Sequence, residues 1–293
     1  MIDPSRIETL IHAGLVADSY SLGLHWIYDH NLLDSQPLDN NCLNPPLSHW
    51  HGTKQAGDLT HYGDQLWHLY SHIRQHDALD MDQYRRDWMA FIQHYHGYID
   101  KATAETLRNI THDVTPPGSH STELSVTARI VCPLLYARTQ SDYLEHVEAL
   151  TRFTHNSALA VQSSQFFASV LLSCLCGTPL PEALTEHLEL LPDKLRISAQ
   201  AGIDSAEQDT VAALRHFGIA CDIRHGLPGV LHLISRHRDE PTTLLKENAR
   251  AGGDSSARAM ISLMLLIAED PKRYAQVPTS WQLNAVAASF SKT

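Results

Sequence analysis

Nothing in this sequence approaches the run of about 20 apolar residues that a membrane-spanning helix requires. The longest apolar stretch near the C-terminus, residues 260–268, is interrupted by Ser262, so no membrane association is expected. Cysteine is scarce: five residues, of which only Cys174 and Cys176 lie close together, and no C-x-x-C pair. A disulfide framework and a zinc ribbon are both excluded on that spacing. Reduced thiols of a cytoplasmic protein are expected, because Met1-Ile2-Asp3-Pro4-Ser5-Arg6 shows no charged-then-apolar export pattern. Basic charge is also in deficit, with 22 Lys and Arg against 33 Asp and Glu and a net charge of −11. An acidic surface repels extended nucleic acid. There is no G-x-S-x-G elbow, no G-x-x-x-x-G-K loop and no H-E-x-x-H helix, which removes the usual signatures of a serine hydrolase, a phosphate loop and a zinc protease. The twenty histidines read as spread over solvated helix faces rather than set in metal-binding pairs.

What the chain has is helical periodicity. Asp3 and Pro4 suit a helix start, with Ser5 and Glu8 spaced as a capping box. Ile7, Leu10, Ile11 and Leu15 then form an apolar stripe. Leu66, Leu69, Tyr70 and Ile73 repeat it, as do Trp88, Phe91, Ile92 and Tyr95, with Asp82 as a start. Leu124, Ala128, Val131, Cys132 and Leu135 predict a further helix, on which Arg129 should be buried and paired with a carboxylate or phosphate. Sustained two-residue alternation is absent, so the expected fold is all-α, a compact multi-helix bundle. Polar, proline-containing stretches at residues 31–54 and 111–122 read as loops over one core, giving a single domain over residues 1–293 with a loosely packed tail after Pro271.

Four segments place polar side chains beside turn residues at helix ends. The first contains Gly14 and Asp18, then Gly23-Leu24-His25-Trp26-Ile27-Tyr28-Asp29. The second is Gly57-Asp58-Leu59-Thr60-His61-Tyr62-Gly63-Asp64-Gln65, and the third is Pro117-Gly118-Ser119-His120-Ser121, leading to Arg129 and Pro133; His155-Asn156 reads as a helix start or a binding pair. The fourth is Ala251-Gly252-Gly253-Asp254-Ser255-Ser256-Ala257-Arg258. Taken alone, Asp254 reads as an ordinary N-cap and Arg258 as its partner one helical turn on.

The order and spacing of these segments resemble the ADP-ribosylglycohydrolase family, over residues 7–268, and most closely its J1-crystallin-like branch. The resemblance implies an all-α bundle in which two acidic motifs hold a pair of Mg²⁺ ions against the ribose of an ADP-ribosyl group. Thr60 matches the family's threonine, but His61 and Tyr62 stand where its paired carboxylates belong. Asp254 matches the first aspartate of the C-terminal motif, and Ser256 replaces the second. Thr60, Asp64, Asp254 and Ser256 are therefore the candidate metal ligands. With so few carboxylates, one weakly held Mg²⁺ or none is expected. The catalytic candidates are Asp29, Asp64 and Asp254, with Asp18 as the other acidic residue of the first motif. Thr60, His61, Tyr62, Gln65, Ser119, His155, Asn156, Gly253, Ser255 and Arg258 are the ligand-binding candidates. Arg258 offers a permanent cation in place of the missing metal charge.

The activity so implied is hydrolysis of the glycosidic bond of an ADP-ribosylated or related nucleotide-sugar substrate. The alternative is a non-catalytic protein that binds an ADP-ribose-type ligand or serves a structural, crystallin-like role. Residues 60–65 and 254–258 should then face one another across a single cleft.

Overall fold

The computed structural model describes residues 2–36 and 39–284. Thirteen α-helices are found among them: α1 Pro4–Ser21, α2 His30–Ser35, α3 His61–His76, α4 Met81–Gln93, α5 Lys101–Thr111, α6 Gln140–Thr154, α7 Ala158–Leu175, α8 Leu180–His187, α9 Asp193–Asp204, α10 Thr210–Phe217, α11 Ile223–Arg236, α12 Pro241–Ala251 and α13 Ser255–Glu269. Short 3₁₀ turns fill several connections, and no strand forms among the described residues beyond two isolated bridges. The all-α expectation holds.

Helix α13 organises the packing. It carries apolar residues on every face, and Ser255 through Ala268 are buried, as expected of a helix surrounded by others. α1 lies along it, with α7, α11 and α12 completing the surround. One apolar cluster extends from Ile7 to Leu283, and a small satellite of Leu24, Ile27 and Leu33 sits under α2.

Four local expectations change. Asp3, not a Ser5–Glu8 box, caps α1 by accepting from the Ser5 amide at 3.0 Å, and Glu8 instead accepts from the Tyr70 hydroxyl at 3.0 Å. Helix α4 starts one residue earlier than Asp82 suggests, because Asp80 caps the amides of Asp82 and Gln83. The stretch around Arg129 forms two 3₁₀ turns, Leu124–Arg129 and Cys132–Leu135; Pro133 lacks the amide hydrogen that a continuous helix would need there. The described part of the tail packs closely, with Trp281 buried and stacked on Tyr20 at 4.4 Å between ring centroids. Helix α7 has the length and composition to cross a bilayer although its apolar residues form no unbroken run; here 67% of it is buried inside the protein.

Candidate functional site

Two backbone straps build the site. The chain leaving α1 turns through Trp26, whose amide donates to Gly253 O at 2.8 Å, while the Gly253 amide returns to Ile27 O at 2.7 Å. Gly253 has a φ of +62°, and a Cβ there would overlap the Ile219 backbone, so only glycine allows this approach. In the second strap, the Ser119 amide donates to Thr154 O at 3.0 Å and the Asn156 amide to Ser119 O at 2.7 Å. The first and fourth polar segments are thereby tied together, and the third is tied to the end of α6.

Asp18 and Asp254 lie at the centre, both buried. Asp18 accepts from the Thr60 amide at 2.7 Å, from the Thr60 hydroxyl at 2.6 Å, and from the Ser256 hydroxyl. A Cβ on Gly63 would run into this carboxylate, which explains a glycine in the first turn of α3. Asp254 Oδ1 accepts from the Tyr62 hydroxyl at 3.0 Å and the Trp26 indole at 3.1 Å, with His25 Nε2 3.8 Å away. Asp254 Oδ2 is buried without a hydrogen-bond partner. Burial pushes both carboxyls up to about 6, against which these donors and, for Asp254, the charge of Arg258 pull only partway back. Asp254 occupies the N-cap position of α13, yet its side chain caps nothing. The ordinary-cap reading is therefore replaced: the carboxylate is turned toward Tyr62 and Trp26.

Over this centre opens a cavity of about 230 Å³ lined by Trp26, Tyr28, Trp50, Tyr62, Tyr98, Asp100, Lys101, Glu123 and Cys221. Five of the nine are aromatic. Glu123 Oε2 and His155 Nε2 lie 3.8 Å apart, and both lack a hydrogen-bond partner. Below it a polar network runs inward: Gln65 Oε1 accepts from Trp88 Nε1 at 3.1 Å and Arg129 at 3.2 Å, and the Gln65 amide donates to His61 at 2.9 Å. His61 also lies 3.4 Å from Asp100. Burial holds His61 below the ordinary histidine value, outweighing the carboxylates of Asp100 and Asp64.

Thr60, Tyr62, Gly253, Asp254 and Ser256 come together as a cluster, and residues 60–62 and 254–256 do meet across 192 positions of sequence. Other candidates stand apart. Asp29 is exposed and caps α2 through the amides of Asn31 and Leu32. Asp64 is held by Lys54 Nζ at 2.5 Å and the Tyr95 hydroxyl at 2.6 Å. Arg258 neither reaches the cavity nor pairs with Asp254; it is buried and bonds Asn248 Oδ1 at 2.9 Å and Gly252 O at 2.6 Å. Ser255 is buried, and its carbonyl accepts from Asn248 at 2.8 Å. Ser119 is fully buried in its strap, and Asn156 accepts from Arg152 at 2.8 Å. Arg129 is buried as expected, but its side-chain hydrogen bonds go to neutral groups, Gln65 and Thr154 Oγ1 (2.6 Å). Sequence reasoning missed Trp50, Tyr98, Asp100 and Glu123. Trp50 was visible as a tryptophan in a polar loop; the others carried no local signal.

The geometry does not suit a pair of Mg²⁺ ions. A hard cation needs free anionic oxygens, and here both oxygens of Asp18, Oδ2 of Asp64 and Oδ1 of Asp254 are taken by donors of the chain itself. Asp64 Oδ1 and Asp254 Oδ2 accept no hydrogen bond from the chain, and among the described residues no three carboxylate or histidine ligand atoms converge at this centre. The Tyr62 hydroxyl and the Trp26 indole supply the positive ends of dipoles to a carboxylate that would otherwise face a cation.

An all-α bundle with two buried aspartates, Asp18 in the last turn of α1 and Asp254 at the start of α13, linked through Thr60, Tyr62 and Ser256, defines the class. Residues 3–287 match the ADP-ribosylglycohydrolase family model, and the chain belongs to that family. It is similar to crystallin J1A of Tripedalia cystophora, with 25% identity over 87% of this chain and 84% of the relative. Crystallin J1B of the same animal is 23% identical over the same shares. Among solved structures, an ADP-ribosylglycohydrolase-related protein complex superposes with a TM-score of 0.74 at 17% identity, covering 95% of this chain and 91% of that one; the likeness shows a shared fold.

Proposed function

We propose that this protein binds the ribosyl or base end of an ADP-ribosyl or related nucleotide-sugar ligand in its aromatic cavity, without metal-dependent hydrolysis. The observation that carries this reading is the closure of Tyr62 and Trp26 on Asp254 directly beneath the cavity. A cavity of about 230 Å³ is smaller than the roughly 300–1,000 Å³ of complete ligand pockets, so it takes one ring or sugar rather than a whole dinucleotide. Trp50 and Tyr28, each about half exposed, offer faces on which a base or sugar can stack. Asp100 and Glu123 outnumber Lys101 among the lining charges, so a diphosphate would stay outside, toward solvent.

A second reading, glycosidic hydrolysis without metal, is favoured by one observation. Asp254 combines an oxygen free of partners with a pKa raised to about 6, which suits a general acid. Titration calorimetry with ADP-ribose, ribose and adenosine, in Mg²⁺ and in chelator, separates the readings. Equal binding in both buffers with no product supports the binding protein. Product formation that survives chelator and is lost in Asp254→Asn supports the hydrolase. Binding that appears only with Mg²⁺ would overturn both.

A further inference from the structure

At the far end of α3, twelve residues and so about 18 Å along the axis from Thr60, two histidines and an aspartate converge. His72 and His76 are spaced i, i+4, which stacks their side chains on one helix face. Their ring centroids are 4.7 Å apart. Asp87, on α4, puts Oδ2 2.9 Å from His72 Nδ1 and 3.8 Å from His76 Nε2. One ligand atom from each residue lies within 4.8 Å of the others. We propose that His72, His76 and Asp87 bind one divalent transition-metal ion of the zinc class, clamping the C-terminal half of α3 to α4.

The distances suit the ion. With metal–ligand bonds of about 2.0–2.1 Å in a tetrahedron, neighbouring ligand atoms sit about 3.4 Å apart, and the two measured separations bracket that value. The donor set is also selective. Two imidazoles and one carboxylate favour Zn²⁺, Ni²⁺ or Cu²⁺ over Mg²⁺, which wants oxygen alone. Both rings are drawn to the same carboxylate oxygen, and a lone pair facing a carboxylate requires a positive centre between them, either a proton or a metal.

His76 is free to turn to such an ion. Its neighbour Gln83 lies 3.3 and 3.2 Å from the two ring nitrogens, nearly equidistant and so along neither lone pair. His72 is almost fully buried, with its side chain 2% exposed, and its Nε2 has no hydrogen-bond partner. Burial fixes the ring before any ion arrives. The side chains of His76 and Asp87 are 27% and 42% exposed, which opens an entry path and leaves room for a water at the fourth position. His68, one turn earlier, stacks flat on Phe91 at 4.4 Å and is held away from the group. In sequence alone these histidines read as solvated residues outside any metal-binding pair. The i, i+4 spacing was there, but the carboxylate that completes the set arrives only when α4 docks.

The test uses the full untagged chain and Zn²⁺ in competition with a chromophoric chelator, with Co²⁺ absorption as the reporter of tetrahedral geometry. One ion per chain is expected. His76→Gln and Asp87→Asn, both at partly exposed positions, should each weaken binding at least tenfold while the helical circular dichroism is retained. His120→Gln, an exposed histidine elsewhere, should leave affinity unchanged, and Mg²⁺ in large excess should not compete. Zn²⁺ should raise the melting temperature of the unmodified chain and not of His76→Gln. Equal affinity in all four proteins would assign the binding to scattered surface histidines and overturn the proposal. So would the absence of Zn²⁺ binding by the unmodified chain, which would leave the cluster a proton-shared ion pair.

Discussion

The Tyr62 hydroxyl donates to Asp254 Oδ1 at 3.0 Å across 192 residues of sequence, and this bond occupies the oxygen that a cation would claim. Ser256 does the same for Asp18. The replaced residues of the two acidic motifs are therefore not vacancies. Tyr62 and Ser256 are hydrogen-bond donors to the two remaining carboxylates, which offsets part of the cost of burying them without a metal.

The first prediction follows from which side chains meet. Tyr62→Asp and Ser256→Asp together should create a measurable Mg²⁺ site where the unmodified chain shows weak binding or none. The double variant should exceed the sum of the two singles, because the new carboxylates adjoin one carboxylate pair. His61→Asp should not help, since His61 points toward Thr103 and Asp100. Calorimetric Mg²⁺ titration of the five proteins decides it, and a gain from His61→Asp equal to that from Tyr62→Asp would show the centre misread.

Trp50→Ala tests the cavity. Trp50 is 45% exposed, so its loss should leave the melting temperature within about 2 °C, as for surface substitutions generally. Affinity for the ribosyl or base ligand should fall about tenfold if the indole face is a stacking platform. Unchanged affinity, followed by indole fluorescence, would place the ligand elsewhere.

Arg258→Met addresses the brace behind the site. It strips the charged donor from Asn248 Oδ1 and from Gly252 O, and buried acceptors left unpaired cost about 1–3 kcal/mol each. A loss of about 2–4 kcal/mol in urea unfolding is expected, larger than any effect on ligand affinity. The guanidinium also pulls the Asp254 pKa down, so its removal should raise that pKa further.

Acid should destabilise the fold. Burial lowers His51 and His232 from 6.5 to about 4, and lowers His25 well below 6.5. A folded-state pKa below the unfolded one means the unfolded chain takes up protons first. The stabilisation is thus complete above about pH 6.5 and is lost as the pH falls toward 4. Asp18 and Asp254, raised from 3.8 to about 6, work in the opposite sense between pH 6 and 4. The histidine contribution starts at higher pH, so the melting temperature should drop by several degrees between pH 7.5 and 5.5. His232→Gln should flatten that slope. A melting temperature that rises over the interval would show the carboxylates dominant.

Much of the fold was legible in the sequence, because helices announce themselves through local spacing. Asp3-Pro4 starts α1, Gly218 ends α10, and Gly252-Gly253 separates α12 from α13. Each depends on neighbours a few residues away, where capping and backbone freedom act. The resemblance in the polar segments likewise identified the family, since motif order survives where individual residues change. The stretch around Arg129 misled because apolar spacing alone does not separate a helix from successive 3₁₀ turns.

The destination of each polar side chain was a different matter. Asp29, Asp64 and Asp254 are all acidic residues at or near helix starts, and sequence treated them alike. Packing separated them: Asp29 stayed at the surface as a cap, Asp64 met Lys54 and Tyr95, and Asp254 was carried under Tyr62 and Trp26. Nothing within several residues of Asp254 encodes a partner 192 positions away. The sequence by itself determined most of the helices, several of their ends and the family; only the tertiary structure decided which donors reached which carboxylate, because that choice depends on burial and on contacts between distant segments.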